Sequence, residues 1–424
     1  MRPRTWVLVL AAVFALLQLG NVTGRDTPDS KNYVSYALVL GGESRRAAAA
    51  ATIDWVCAGR SSLARRAQSV DVLRFHRPSP AGRVRAKCRA DEGRVVERRL
   101  RAGQTDGHVV PFVGPRLRRI FEVRPGYPLF LTPFVTVLGV TWGVWLASVL
   151  VTVAGGILAF LILRTLAVTV PLALAGQALY YVLPCGTTAM RPMAEGLMLA
   201  LTLTAVWGCA LALNRRPRAG TALVAASLAA LFAVKHSQSL FLGLCLAVAG
   251  TAVALRRRLG GRRPGRGVVA VGALGCGAVL GTMLLARLLH YPSESESLQD
   301  LLTAHFRRPD RAHPWREFLH LEADFWIEWT RRQCLDPLFV TALAAGVWGA
   351  LRRPAFGCFL AGAAFTGVLT QAGHPDITIY GGRLIVLAWL LPVLGAPLLL
   401  PAFPRPPVVL PAQGQGRRRV QSVG

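Results

Sequence analysis

The sequence predicts an all-α polytopic membrane protein, and three observations support this fold class. Hydrophobic residues make up 53% of the 424 positions, the mean hydropathy is +0.42, and apolar runs recur along the whole chain. A straight membrane span needs roughly 20 consecutive apolar residues. About ten uncharged or nearly uncharged runs approach this length: residues 5–24, 142–163, 165–183, 193–213, 221–234, 237–255, 267–286, 337–351, 355–370 and 384–400.

Several of these runs are shorter than a straight span, so tilt, flanking residues or half-helices must supply the remaining length. Residues 127–140 and 221–234 fit either a span or an interfacial, re-entrant segment. The predicted count of about ten transmembrane helices therefore has a margin of one or two.

The charge distribution predicts the orientation of the chain rather than a nucleic-acid partner. The formal net charge is +28, yet much of the arginine borders apolar runs, in clusters at alternate ends of successive runs. These clusters are Arg164, Arg215, Arg216, Arg218, the run 256–266, Arg352, Arg353 and the run 417–419. Cytoplasmic loops carry excess arginine and lysine, so ten spans with the N-terminus inside place every cluster in the cytoplasm. The arginine, alanine, glycine and valine bias is typical of a high-GC genome, which predicts a bacterial plasma membrane.

The chain then divides into six segments. Residues 1–24 are predicted to be a retained signal anchor, because no clear A-x-A cleavage site follows them. A large first extracytoplasmic loop of residues 25–126 carries an acidic motif, and its basic residues are expected to meet lipid headgroups or phosphates. Core helices (127–289), a second extracytoplasmic loop (290–335), C-terminal helices (336–400) and a disordered cytoplasmic tail (401–424) follow.

The acidic motif DTPDSKNYVSYALVLGG spans residues 26–42, directly after the first apolar run. Four of its residues fall at i, i+3, i+4 and i+7, the spacing of one helical face: Tyr33, Tyr36, Ala37 and Leu40. Asp29 stands at the expected N-cap, where a carboxylate accepts unpaired backbone N–H groups and is favoured by the helix dipole. An ionised acid at a membrane surface is either an anchor or a catalyst.

The predicted topology collects the unusual polar groups at the outer ends of the spans. They are Asp26, Asp29, Arg191, Glu195, Lys235, His236, the histidines of the second loop, His374, Asp376, Tyr380 and Arg383. Lys235 interrupts an apolar stretch, so it either serves a site or snorkels from a short external turn. Arg191 and Glu195 fit an i, i+4 ion pair or a site. Residues 371–383 form either an ordinary turn or a phosphate clamp made by Arg383 and His374.

Two other residue types leave alternatives open. Cys57 and Cys88 either form a disulfide within the first loop or remain unpaired. The histidines of the second loop, His290, His305, His313 and His320, lack paired ligand spacing, so solvated surface histidine is favoured over a metal site. No metal or cofactor is predicted, although a divalent ion is not excluded.

The sequence lacks the common motifs of nucleotide-binding proteins and soluble hydrolases. The chain has no Walker loop, no GxGxxG after a strand, no GxSxG and no HExxH, so soluble nucleotide chemistry finds no support. A transporter would be expected to carry charged or broken spans near the midplane. Clean spans with polar groups at one face favour surface chemistry on a lipid-linked substrate.

Four ordered segments resemble the GT-C glycosyltransferases, specifically the bacterial protein-mannosyltransferase and aminoarabinose-transferase-like branch (family 39-like). They are DSKNYVSYALVLGG, RPGYPLFLTPFVTVLG, MRPMAEGLMLALTLTA and IYGGRLIVLAWLLPVLG. The resemblance implies a GT-C-like fold, a polyprenyl-phosphate sugar donor, and transfer with inversion to an extracytoplasmic glycan, lipid or protein. It implies Asp29 as the catalytic base, with Asp26 as the substitute. The chain departs from the family in reading Asp29-Ser30 for the usual Asp-Glu, and in its longer, more basic first loop.

The chemistry of such a transfer assigns the remaining candidates. A departing phosphate accumulates negative charge, which fixed cations stabilise. The candidate phosphate-binding residues are Lys235, His236, Arg191 and Arg383, and further site candidates are Glu195, His374 and Tyr33. Two alternatives remain: a transporter or flippase of a lipid-linked intermediate, and a non-catalytic membrane scaffold whose basic loop binds an anionic polymer.

Overall fold

A computed structural model describes residues 3–214, 216–378 and 382–400, and within these ranges the chain is helical with no β-strand. The α-helices are α1 (Pro3–Gln18), α2 (Ser30–Leu40), α3 (Arg45–Ser69), α4 (Ala81–Arg101), α5 (Pro115–Glu122), α6 (Gly126–Thr165), α7 (Val170–Val182), α8 (Pro184–Ala189), α9 (Ala194–Leu213), α10 (Pro217–Leu259), α11 (Arg266–Leu288), α12 (Glu294–Leu302), α13 (Pro314–Cys334), α14 (Pro337–Leu351), α15 (Pro354–Ala372) and α16 (Leu390–Leu399). Two 3₁₀ segments, Leu19–Asn21 and Leu384–Trp389, complete the described part. The all-α prediction is confirmed. Tyr380, Arg215 and the tail 401–424 lie outside the described residues.

Six of the described helices are long and apolar enough to cross a membrane: α1, α6, α9, α10, α11 and α15. The pair α13–α14, bent by 94°, would make a seventh if it forms one broken span. This composition indicates a multi-pass membrane protein. The number ten remains a prediction, because α7 and the segment Leu384–Leu399 are apolar but short.

Helix α10 is broken at Lys235, whose backbone is extended (φ −163°, ψ 95°). The Ser239 hydroxyl donates to the Leu228 carbonyl at 2.9 Å, although eleven residues of continuous helix would separate them by roughly 16 Å. The two arms of α10 therefore fold back on each other, with Lys235 at the tip. These arms correspond to the separate apolar runs predicted at 221–234 and 237–255.

Helix α6 folds back in the same way at Gly139, which adopts the left-handed backbone (φ 70°) that favours glycine. A Cβ on Gly143 would lie 2.4 Å from the Phe134 carbonyl oxygen, nine residues earlier in the chain, so the two arms touch directly. The arm from Gly126 therefore packs against the longer arm of α6 as a helical hairpin.

The predicted first loop is a helical cap with a core of its own, formed by α2 to α5. Buried side chains from each helix contact one another and the start of α6, among them Val34, Val56, Val96, Phe121 and Leu131. The arginine-rich stretch thus folds as ordered helices, because some of its sparse apolar residues, among them Val96 and Phe121, pack in this core. Helix α2 is buried on nearly every side, since α3, α5 and α6 surround it.

Cys57 and Cys88 form a disulfide that joins α3 to α4 inside the cap, with Cα atoms 5.6 Å apart. This decides between the two alternatives for these cysteines. Disulfides persist in oxidising compartments, so the bond is consistent with the predicted extracytoplasmic position of the cap.

Replacing both cysteines with alanine is expected to destabilise the cap by roughly 3 to 4 kcal/mol, because a 31-residue separation is freed in the unfolded chain. Denaturant unfolding in detergent, with and without a thiol reductant, measures this loss. Cys334→Ala, at an exposed free cysteine, is the control and should leave the midpoint unchanged. Equal midpoints for the double variant and this control would contradict the structural role of the bond.

The second loop folds as α12 and α13 and contacts the cap through α5. Arg116 binds Glu296 at 3.0 Å and Asp310 at 2.9 Å, and its guanidinium lies 4.1 Å from the centre of the Phe306 ring. Arg119 also donates to the His290 carbonyl at 2.8 Å. The two predicted extracytoplasmic loops therefore close over the same end of the helix bundle.

Candidate active site

A buried charge cluster brings together three predicted site residues from distant parts of the chain. Arg383, at the start of the second 3₁₀ segment, donates from Nε and Nη2 to Glu195 Oε1 at 3.0 and 2.7 Å. The same Nη2 binds Asp29 Oδ2. The Glu195 side chain is 4% exposed, that of Arg383 is 9% exposed and that of Asp29 is 24% exposed. One guanidinium therefore serves two carboxylates at the junction of the cap and the helix bundle.

The predicted capping role of the Asp29 carboxylate is wrong. Asp29 does occupy the N-cap position of α2, but its side chain accepts no capping hydrogen bond. The carboxylate binds the Arg383 guanidinium instead, so both partners of the bond are charged. Ser30 turns its hydroxyl back to accept the Thr27 N–H at 2.8 Å, which organises the start of the helix.

The charge cluster lines an inner cavity of about 150 Å³ between the cap and the bundle. The other polar and aromatic residues around it are Tyr33, Phe121, Arg124, Lys235, His236, Ser237, Ser297, Asp300, His305 and His374. Lys235 is only 6% exposed, because the fold-back of α10 inserts its tip here. Seven of the nine predicted site residues thus line this one cavity.

Two cations of the inner cavity have no direct counter-charge. Neither Lys235 nor Arg124 lies within hydrogen-bond or ion-pair distance of any carboxylate in the described ranges, and the buried Arg124 Nε has no acceptor there. A buried, unpaired charge costs several kcal/mol. The carboxylates that line the cavity already have other partners, since Asp29 and Glu195 bind Arg383 and Asp300 bonds to His305. Lys235 and Arg124 are therefore left to bind an anion. The inner cavity is suited to a small anion.

Histidine contributes less charge to the inner cavity than the sequence indicated. Burial and, second, the charge of Lys235 lower the pKa of His374 to about 3, so its imidazole is neutral at physiological pH. The predicted phosphate clamp of Arg383 and His374 therefore has one cation rather than two. The ring of His236 contacts the edge of Tyr291, with centroids 5.1 Å apart.

Tyr33 is a core residue as well as a cavity residue. Its ring meets Phe121 and Tyr127 edge-on, each with centroids 5.4 Å apart, and burial raises its pKa to about 12. The phenol therefore stays protonated and can only donate or accept a hydrogen bond. Its first role is to fix α2, and hence Asp29, against α5 and α6.

Arg191 and Asp26 lie beside the inner cavity rather than in it. Both line a lateral cavity of about 570 Å³ between α1, α7 and α8, which Arg383 also reaches. The predicted i, i+4 pair of Arg191 with Glu195 is absent among the described residues, because α9 begins only at Ala194. Burial raises the pKa of Asp26. Arg383 thus lies at the junction of the inner and lateral cavities.

Sequence reasoning missed Arg124, Asp300 and His305 as cavity residues. Arg124 was visible only as the start of the re-entry segment RPGYP, where an arginine at a membrane edge is unremarkable. His305 was predicted to be solvated, but it lines the inner cavity and bonds Asp300 at 3.1 Å, which raises its pKa. Its loop relatives His290, His313 and His320 are exposed, as predicted.

No group of three or more His, Cys, Asp or Glu side chains within the described ranges is arranged to hold a metal ion. Compared with known protein families, curated proteins and solved structures, the chain has no match. Fold and site together define a helical membrane protein with a charged cavity at one end of its bundle.

Proposed function

We propose that this protein is an integral membrane glycosyltransferase that transfers a sugar, with inversion, from a polyprenyl-phosphate donor to an extracytoplasmic acceptor. One observation carries the proposal: Lys235 and Arg124, without a counter-charge among the described residues, face a cavity that also holds the carboxylate of Asp29. A phosphodiester carries a single negative charge, which these two cations can bind. The GT-C resemblance of four segments points in the same direction.

The donor phosphate binds between Lys235, Arg124 and Arg383. The inner cavity is smaller than a typical ligand pocket of roughly 300 to 1,000 Å³, so it takes the phosphate and not the whole lipid. The polyprenyl chain leaves through the lateral cavity, whose apolar wall includes Phe14 and Tyr181. This wall is next to α1, whose outer residues are exposed as lipid-facing residues would be.

Asp29 is the base of the transfer. Its Oδ2 is held by Arg383, which leaves Oδ1 to take the proton of the acceptor hydroxyl while the hydroxyl oxygen attacks the anomeric carbon. The bond from that carbon to the phosphate oxygen breaks on the opposite face, and the three cations stabilise the charge that develops on the phosphate. Glu195 does not touch the substrate; it positions Arg383 through two hydrogen bonds.

Turnover of a radiolabelled polyprenyl-phosphate sugar by purified protein tests the proposal. Asp29→Asn is expected to lower kcat by roughly a thousandfold, since a positioned base contributes about 10² to 10⁴, while the donor KM stays within a few-fold. Asp54→Asn is the matched control. Its carboxylate is exposed on α3 and lines neither the inner nor the lateral cavity, so turnover should change less than about twofold. Undiminished turnover by the Asp29 variant would remove the base from the mechanism.

A flippase for the same lipid is the second candidate function, and the break of α10 at Lys235 favours it. Broken helices with polar groups at the break are the usual substrate sites of secondary transporters. A flippase would still move fluorescent polyprenyl-phosphate sugar across proteoliposomes after Asp29→Asn. Under the glycosyltransferase proposal, wild-type protein transfers the sugar and does not change its distribution between leaflets.

A further inference from the structure

A third cavity, the cap cavity, lies on the outer side of the acidic motif. It has a volume of about 540 Å³ and is enclosed by α2 to α5 and the loop after α12. Asp26 and Asp29 form one wall. His305 also lines the cavity. The remaining charged residues that line it are all lysine or arginine: Lys31, Arg60, Arg99, Arg116 and Arg307.

The positive charge of the cap cavity is only partly neutralised by the protein. Lys31 and Arg60 share a single carboxylate, Glu92, at 2.9 and 3.2 Å. Arg99 and Arg307 form no ion pair with any residue in the described ranges, and the one hydrogen bond of the Arg99 side chain goes to the Pro111 carbonyl at 3.2 Å. Burial and then the charge of Arg307 lower the pKa of Arg99, so the two guanidiniums repel each other. An anionic ligand would relieve this repulsion.

The cap cavity is connected to the proposed chemistry through shared residues. Asp29, Leu117, Phe121 and His305 line both the cap cavity and the inner cavity. A hydroxyl held in the cap cavity can therefore reach Asp29. The aromatic rings of Phe112, Phe121 and Phe306 supply apolar surface of the kind against which sugar rings pack.

We propose that the cap cavity binds the acceptor, and that the acceptor is a glycan bearing closely spaced negative groups, carboxylate or phosphate. Arg99 and Arg307 bind these groups while the acceptor hydroxyl lies at Asp29. The assignment rests on the glycosyltransferase function proposed above and specifies its substrate class. It also gives a role to the unusually basic first loop, which the resemblance left without one.

Fluorescence anisotropy of labelled tetragalacturonate tests this assignment, with the full chain in phosphatidylcholine nanodiscs and no donor present. The double variant Arg99→Gln/Arg307→Gln is expected to raise the Kd at least about tenfold, because two charge-assisted contacts are lost. The matched control is Arg85→Gln/Arg308→Gln. It removes the same charge from α4 and from the same loop, at exposed positions outside the cavity, and should change the Kd less than about twofold.

Three results would overturn the assignment: equal losses in the two double variants, binding of neutral maltotetraose as tight as that of tetragalacturonate, or no binding by the wild type. The single variant Arg307→Gln separates loss of binding from misfolding. Its exposed side chain makes no hydrogen bond among the described residues, so the variant should fold normally and still bind tetragalacturonate more weakly than the wild type. Competition by a mannose-6-phosphate oligosaccharide distinguishes the two sources of charge. Tighter binding of this competitor assigns phosphate, and weaker binding assigns carboxylate.

The acceptor assignment and the glycosyltransferase proposal fail in different measurements. Asp29→Asn should retain tetragalacturonate binding within about threefold while losing turnover. Retained turnover in that variant contradicts the catalytic proposal and leaves the binding result intact. Unchanged binding in the Arg99/Arg307 double variant contradicts the acceptor site whatever the turnover.

Discussion

Replacing Arg383 with glutamine is expected to cost about 3 kcal/mol or more of stability and at least about a hundredfold in kcat. The variant leaves the carboxylates of Asp29 and Glu195 without the cation that they share. Most of the stability loss comes from Glu195, which is nearly inaccessible to water, whereas Asp29 is partly solvated. Thermal unfolding in detergent and turnover of the labelled donor measure the two effects.

Two further variants separate the structural part of this effect from the catalytic part. Glu195→Gln/Arg383→Gln removes a buried charge of each sign, so it should recover most of the melting temperature without recovering turnover. Arg383→Lys keeps the charge but cannot reach both carboxylates with a planar fork, so intermediate losses are expected. A melting temperature unchanged by Arg383→Gln would show that the cluster does not stabilise the junction of cap and bundle.

Replacing Lys235 with methionine is expected to move stability and activity in opposite directions. The variant removes a buried ammonium that has no ion-pair partner in the described part of the chain, so the free energy of unfolding should rise by about 1 kcal/mol or more. Methionine is flexible enough to fill the space of the lysine stem. Turnover should fall about a hundredfold, because one of three cations at the donor phosphate is lost.

Lys87→Met is the control for this prediction, since Lys87 is exposed on α4 and does not line the inner cavity. It should change neither the melting temperature nor turnover. A Lys235→Met protein that is less stable than the wild type would identify Lys235 as a structural residue of the α10 tip. A more stable protein with full turnover would instead mean that Lys235 does not bind the donor.

The sequence predicted which residues share one end of the bundle, and the structure brings most of them together. This part was accessible because span lengths and flanking arginines are local properties, and alternating ends follow from them. Asp29, Glu195, Lys235 and Arg383 were all identified in this way. Arg191 lines the lateral cavity and does not form the i, i+4 pair with Glu195 among the described residues, because α9 begins only at Ala194.

Contacts between chain segments that fold back on each other could not be predicted from the local sequence pattern. The two arms of α10 read equally well as separate spans or as a re-entrant segment, and only the Ser239–Leu228 hydrogen bond decides that they fold together. The cap core was missed because its apolar residues are sparse in an arginine-rich stretch and become contiguous only when four helices pack. Arg124 and His305 were missed because they line the inner cavity only once the helices have packed.

The amino-acid sequence by itself determined the membrane class, the apolar helices and the set of acids and cations expected at one face. Tertiary structure alone decided their pairing: Asp29 binds Arg383, 354 residues away, rather than the backbone of its own helix. Tertiary structure also decided that Lys235 and Arg124 face a cavity instead of a carboxylate. The physical reason is that hydrogen bonds and close ion pairs act over a few ångströms, and such distances between remote residues are set by packing.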